Sequence, residues 1–455
     1  MITAPFFPGD SMPLRLRALL ALAVIAAPVA AQQPLPPVRP LGPVTQVSPA
    51  DLLGSVSAVR PLPGGGAIVN DLTRRQLIVL DADFKLKSVI ADTTPATANG
   101  YSSRIAGLMA YKGDSSLFID PQSLSMLVID GKGEVVRVMA VPRPQDANFM
   151  IGGPFGTPGV DPQGRIVYRG FVMPNMRGMN MGGPPQPGQP FRAPTMADTA
   201  PVFRVNLATR ALDTATYFKI PSAQVSMTQD DRGAMRISMM TNPMPVVDDW
   251  ALMPDGRIAV VRGKDYHVDW LNADGSWAAT PKIPYNWERL DDDGKEKFID
   301  SVKVEAEKQR ENMNRALASG VNNANAAMGG AAGGQPVRIE MRIDGGGGGG
   351  GGRPQQGVQQ ITAPSINFVK PKDLPDYRPA FRQGAVRADV EGNLWVRTTQ
   401  PSDAGPIYDV INGKGELVDR VKLPFGRVIS GFGSGVVYMG VQDDKGARLE
   451  MARIK

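Results

Sequence analysis

Along most of this chain apolar and polar residues alternate with period two in short runs, and each run ends at a glycine-bearing turn. The segment that begins at Trp250 shows the grammar in full. Trp250–Met253 reads as a strand, Pro254-Asp255-Gly256 as a tight turn, Arg257–Arg262 as a second strand and Tyr266–Leu271 as a third, with Asn272-Ala273-Asp274-Gly275 turning into a fourth near Trp277. That is a four-stranded antiparallel meander. It recurs over residues 56–90 and 107–141, in a copy that opens at 159–170 and resumes at 202–218, over 384–424, and in a last copy, 427–455, that ends after three strands. Uninterrupted neighbours start roughly 41 to 51 residues apart, the length of a propeller blade. A blade buries its faces only against its neighbours, so the ring has to close. The short last copy leaves a place for an N-terminal strand within Pro43–Ser48. The pattern predicts an all-β chain: a six-bladed β-propeller of four-stranded antiparallel blades over residues 44–455, with the last blade completed by that N-terminal strand. A pair of unrelated β-sandwiches is the rival arrangement.

Three segments break the period. Residues 172–200, rich in Pro, Gly and Met, and residues 222–245, polar and Met-rich, read as irregular loops. The third break, 291–357, is the largest. From Asp291 to about Leu317 the residues Phe298, Val302, Ala306, Met313 and Leu317 recur at helical spacing, and Asp291, Asp292 and Asp293 stand where a helix N-terminus favours carboxylates, so one amphipathic helix is expected. A Gly/Ala/Asn tract and eight glycines at 345–352 follow and read as a disordered linker. No helix follows those glycines, which removes the dinucleotide-binding reading of a glycine-rich loop.

The N-terminus changes the picture by giving an address. Arg15 and Arg17 precede an apolar run from Ala18 to Ala27, and Val29-Ala30-Ala31 stands before Gln32, the layout of a cleavable export signal over residues 1–31. The run is short of the ~20 residues that span a bilayer. The expectation is an exported protein, periplasmic or extracellular, with a Pro-rich linker at 32–43 and no transmembrane span. The chain has no cysteine, which excludes thiol chemistry, disulfides and Cys-zinc sites. Its net charge of +6 is spread along the chain without runs of Lys/Arg and aromatics, so no nucleic-acid partner is expected and only a weak attraction to an anionic envelope surface remains.

The phrases PDGRIAVVR (254–262) and VEGNLWVR (390–397), each followed by a strand and then NADG or NGKG, with the approach LPDYRPAFRQGAVRAD (374–389), resemble bacterial secreted six-bladed β-propellers of the NHL/TolB-like kind. The resemblance implies the fold over most of residues 44–455. It leaves function open, because that superfamily holds binding scaffolds, lactonases and lyases.

Candidate chemistry is sparse. His267 is the single histidine; alternation puts it on one strand face with Asp265 and Asp269, opposite Tyr266, Val268 and Trp270. At most two of His267, Asp269 and Asp265 would share one metal, and a polar face between blades is the plainer account. Aligning the turns places Asn70, Asp71, Asp120, Arg169, Arg262 and Arg397 near the ends of second strands, at the rim of the central channel. There the arginines would grip a carboxylate or phosphate, and Asp71 and Asp120 an amine or calcium; mutual ion pairing across the rim is the alternative. Met173, Met176, Met179 and Met181 form a thioether cluster suited to Cu(I) or to a protein partner. The sequence thus favours a non-catalytic propeller that binds a protein, peptide or small ligand at the channel mouth and insert loops. The alternatives are a metal-assisted lactonase or lyase using Asp71 and Asp120 with an arginine, and Cu(I) binding by the methionine loop.

Overall fold

In the computed structural model the described residues are 35–95, 97–153, 156–171, 197–222, 224–229, 235–318 and 367–455. They form a six-bladed β-propeller. Blade 1 runs from Ala58 to Ala91, blade 2 from Gly107 to Ala140, blade 3 from Gly159 to Lys219, blade 4 from Asp249 to Ala279, blade 5 from Phe381 to Lys422 and blade 6 from Arg427 to Arg453. Within these ranges the strands follow one another in sequence order, joined antiparallel, and the first strand of each blade is innermost; an N-terminal strand is added at the outer edge of blades 5 and 6.

The turn residues explain the repeat. Asp389 Oδ1 accepts the backbone N–H groups of Glu391 and Asn393, and Asn412, Asp81 and Asp130 do the same for the residues two and four ahead. Each Asp or Asn thus closes its own turn, while Gly256 and Gly275 take the left-handed conformation that ends it (φ +87° and +86°). Between turns the second strands are apolar on both faces because both are covered. On Ala67–Asp71, Ile68 packs toward blade 2, whereas Ala67 and Val69 pack toward blade 6. Six such apolar interfaces follow one another around the ring, and the sixth joins Tyr438 and Leu449 of blade 6 to Val59 and Leu80 of blade 1. Ser430 Oγ donates to the Val56 carbonyl across that closure at 2.9 Å.

The N-terminal strand is present: Val44–Val47 pairs antiparallel with Gly446–Arg453 and is the fourth strand of blade 6. The stretch 32–43, expected as a linker, is corrected. Within it Val38–Pro40 is a fifth, parallel strand on the outer edge of blade 5. Proline is tolerated there because an edge strand has N–H groups that no ladder needs. Arg39 Nε bonds both Asp419 carboxylate oxygens, at 3.1 and 3.0 Å. Arg39→Ala is expected to cost about 1 kcal/mol in chemical denaturation, a modest loss because the pair keeps partial contact with water.

The loop expected at 222–245 is also corrected. Gln224–Gln229 and Met235–Thr241 form a hairpin, and Asn367–Phe368 adds a parallel strand to it. Val225, Met227, Ile237 and Met239 do alternate, but methionine is a weak strand signal and conceals the period. The helix is found at Asp292–Ala318, and Asp291 Oδ1 caps it by accepting the Gly294 N–H at 2.8 Å. Its buried apolar residue among those described is Ile299, one place along from Phe298, packed with Met244, Leu290, Val369 and Leu374. Among the described residues no helix is long and apolar enough to cross a membrane. The export signal expected at 1–31, residues 172–196 of the loop expected at 172–200, which hold its four methionines, and residues 319–366 with the glycine tract lie outside the described residues; the end of that expected loop is corrected, since Thr199 and Ala200 open the strand Thr199–Asn206.

Candidate functional site at the channel mouth

Second strands end, and inner strands begin, on one face of the ring. The residues placed there by turn alignment turn out to have local duties. Asp71 is fully buried: Oδ2 accepts the Gly54 N–H at 2.7 Å and Gln76 Nε2, and Oδ1 accepts Ser55 Oγ and the N–H groups of Thr73 and Arg74. Asp120 repeats this in blade 2 with the N–H groups of Ser102, Gln122 and Ser123. Asn70 bridges blades 1 and 2, donating to Ala106 O and accepting from Tyr101 OH at 2.8 Å. Arg262 is held by Asp269 at 2.7 Å and Asp248 at 2.8 Å. His267 lies between Asp265 (2.7 Å) and Asp269 (3.2 Å), and the expected alternation holds, with Tyr266, Val268 and Trp270 buried on the other side. Arg169 lies over the Phe218 ring, its pKa lowered to about 10 by burial against the opposing pull of Asp249. No three His, Asp or Glu groups among the described residues converge as metal ligands.

Arg397 is different, and its surroundings begin with Asp249. This residue opens the inner strand of blade 4 and is buried against the inner strand of blade 5. Its Oδ2 accepts the Val386 N–H at 2.9 Å and Oδ1 accepts its neighbour Trp250 N–H at 3.0 Å, with the N–H groups of Ala385 and Gly384 beside them. Burial raises the carboxyl to about 7 against the pull of those four N–H groups. The cage is built from a bulge. Phe381 pairs with Thr398 and Val386 with Val396, so residues 382–385 stand opposite Arg397 alone. Gly384, at φ +80°, supplies the left-handed residue that lets the chain fold in.

That bulge takes Arg382 and Gln383 out of the ladder and sets them beside Arg397. Arg382 keeps an exposed surface, yet enough protein surrounds it that desolvation, followed by the charges of Arg378 and Arg397, lowers its pKa. Arg378 itself is neutralised by Glu288, bound through two contacts at 2.6 and 3.1 Å, and this bond lowers the Glu288 pKa. Arg382 and Arg397 have no such carboxylate among the described residues. Gln383 Nε2 is buried with no acceptor among the described residues. Arg382 also lines a crevice with Met244, Pro245, Pro379 and Phe381, roomy enough for about one water molecule. Trp287 and Tyr377 stand nearby with 38% and 50% of their surfaces exposed, on two extended segments joined at Arg289 and Tyr377.

Sequence reasoning missed Asp249, Glu288, Arg378, Arg382 and Gln383. The usable signal was Gly384 inside a strand pattern, which marks a bulge and its displaced neighbours.

No family model and no curated protein matches this chain. Among solved structures it is similar to a catalytically inactive virginiamycin B lyase from Staphylococcus aureus (10% identity, 90% of this chain and 99% of that one, TM-score 0.36) and to a gluconolactonase from Xanthomonas campestris (11%, 91% and 99%, 0.36). It is also similar to a DUF4221 family member from Bacteroides vulgatus (9%, 92% and 98%, 0.42).

Proposed function

We propose that this chain is an exported propeller of the NHL/TolB-like kind that binds a protein, peptide or small ligand, without catalysis, at the channel mouth between blade 5 and the inserted helix and hairpin. The observation that carries this is the corner just described. Its unpaired hydrogen-bond donors, on Arg382, Arg397 and Gln383, stand near the exposed surfaces of Trp287 and Tyr377, while the carboxylates that a metal-dependent lactonase or lyase would use, Asp71 and Asp120, are engaged by backbone N–H groups. Binding surfaces of this kind place aromatic area beside a few unsatisfied polar groups.

The test is quantitative mass spectrometry of whatever co-purifies with the chain from its native envelope fraction. A stoichiometric ligand or partner is expected, and it is expected to be lost from a Trp287→Ser, Tyr377→Ser double variant that keeps the wild-type circular dichroism spectrum. Absence of any stoichiometric species, or chelator-sensitive turnover of lactones or esters by the wild type, overturns the proposal.

A further inference from the structure

We propose that Arg382, Arg397 and Gln383 form a subsite for an oxyanion, the carboxylate or phosphate group of the ligand; the inference rests on the binding function proposed above. It is a matter of donor inventory first. A guanidinium offers five N–H groups and accepts nothing, and the side-chain nitrogen of Gln383 is likewise a donor. All of these lie within one bulge and the strand residue facing it, and none has a protein acceptor among the described residues. An acceptor-only group complements such a cluster, whereas an amine or a metal cation would add donors or charge of the same sign.

The neighbouring charges narrow the choice. Three other arginines of blades 4 and 5 have counter-ions: Arg378 has Glu288, Arg262 has Asp248 and Asp269, and Arg420 has Asp409. The Asp249 carboxylate across the inner strands is enclosed by backbone N–H groups that occupy its oxygens. Arg382 is therefore repelled by the charges of Arg378 and Arg397. An anion placed between Arg382 and Arg397 would remove that repulsion. Preorganisation comes from the same source, because the Asp249 cage and the left-handed Gly384 hold the bulge in place before any ligand arrives.

Isothermal titration calorimetry on the full chain distinguishes the sources of the anion, with citrate as the carboxylate probe and inorganic pyrophosphate as the phosphate probe. One of them is expected to bind with a Kd below about 1 mM, weakening as NaCl is raised from about 20 to 200 mM. Arg382→Gln and Arg397→Gln are each expected to weaken it about tenfold or more, as loss of a charge-assisted contact does. Both variants should unfold at or above the wild-type temperature, since each relieves a repulsion. Arg257→Gln, whose guanidinium is already engaged by Asp255 and stacked on Trp270 at the other end of blade 4, is expected to bind as wild type does. Failure of both probes to bind better than chloride, or undiminished binding by the Arg382→Gln, Arg397→Gln double variant, overturns the subsite. If that double variant retains the co-purifying species that the Trp287 and Tyr377 changes release, the anion subsite fails and the binding function stands.

Discussion

Asp409→Ala is expected to destabilise the protein by about 3–5 kcal/mol, a large share of the ~5–15 kcal/mol that holds a typical domain folded. Asp409 is wholly buried on the third strand of blade 5, where Oδ1 accepts Arg420 Nε at 3.1 Å and Oδ2 accepts Tyr266 OH at 2.9 Å from blade 4. Burial raises its pKa, and the Arg420 charge and the bonds from Tyr266 and Arg420 oppose the rise. Arg420 is buried too and reaches Gln400 with its other arm. Alanine at 409 therefore strands a guanidinium in a low-dielectric interface and leaves the Tyr266 hydroxyl without an acceptor.

The cost comes from the orphaned groups and not from any large net worth of the ion pair. The triple variant Tyr266→Phe, Asp409→Leu, Arg420→Met, which removes all three polar groups together, is accordingly expected to recover most of the loss. Guanidinium denaturation at pH 7 measures both. A loss under about 1 kcal/mol for Asp409→Ala, or a triple variant no better than the single one, would show that the interface admits water and that its charges are solvated. The same network fixes blade 4 against blade 5, so the bulge that sets out Arg382 depends on it.

The parts of the structure legible in the sequence are those decided within a few residues. Alternation in Tyr266–Trp270 named the buried face correctly, the Asp and Asn turns recur because each closes on its own backbone, and the three-stranded last copy pointed to Val44–Val47. The candidate site was less legible because it depends on distant pairs. Asp71 and Asp120 look like rim ligands from their place at strand ends, yet a carboxylate there meets the following turn's N–H groups first and is consumed by them. Arg382 becomes prominent only because Asp249, in contact with Val386 across 137 residues of sequence, cages the bulge. The Val38–Pro40 strand has its anchor, Asp419, 380 residues from Arg39. No local period announces contacts of that span.

Asp249→Asn is expected to remove a pH dependence of stability that the wild type carries between about pH 4 and 7. The Asp249 carboxyl is raised to about 7 in the folded protein, because complete burial outweighs the N–H groups of Val386, Trp250, Ala385 and Gly384. In the unfolded chain it returns to the ordinary carboxylate value of 3.8. Between these limits the folded state holds a proton that the unfolded state has released, so rising pH favours unfolding through this window. The contribution is fully present below about pH 4 and is gone above about pH 7, a span worth about 4 kcal/mol at most. Asparagine cannot ionise, and its amide group turns donors toward the backbone N–H cage, so the variant should be less stable at acid pH yet flatter in its dependence. The quantity to measure is the wild-type minus variant unfolding free energy at pH 4.5 and 7.5, in which the titration of more distant groups cancels. A difference that shrinks as pH rises supports a buried carboxyl that is protonated at acid pH. A difference that stays constant, or grows, means that Asp249 is already ionised at pH 4.5 and that the four N–H groups outweigh its burial.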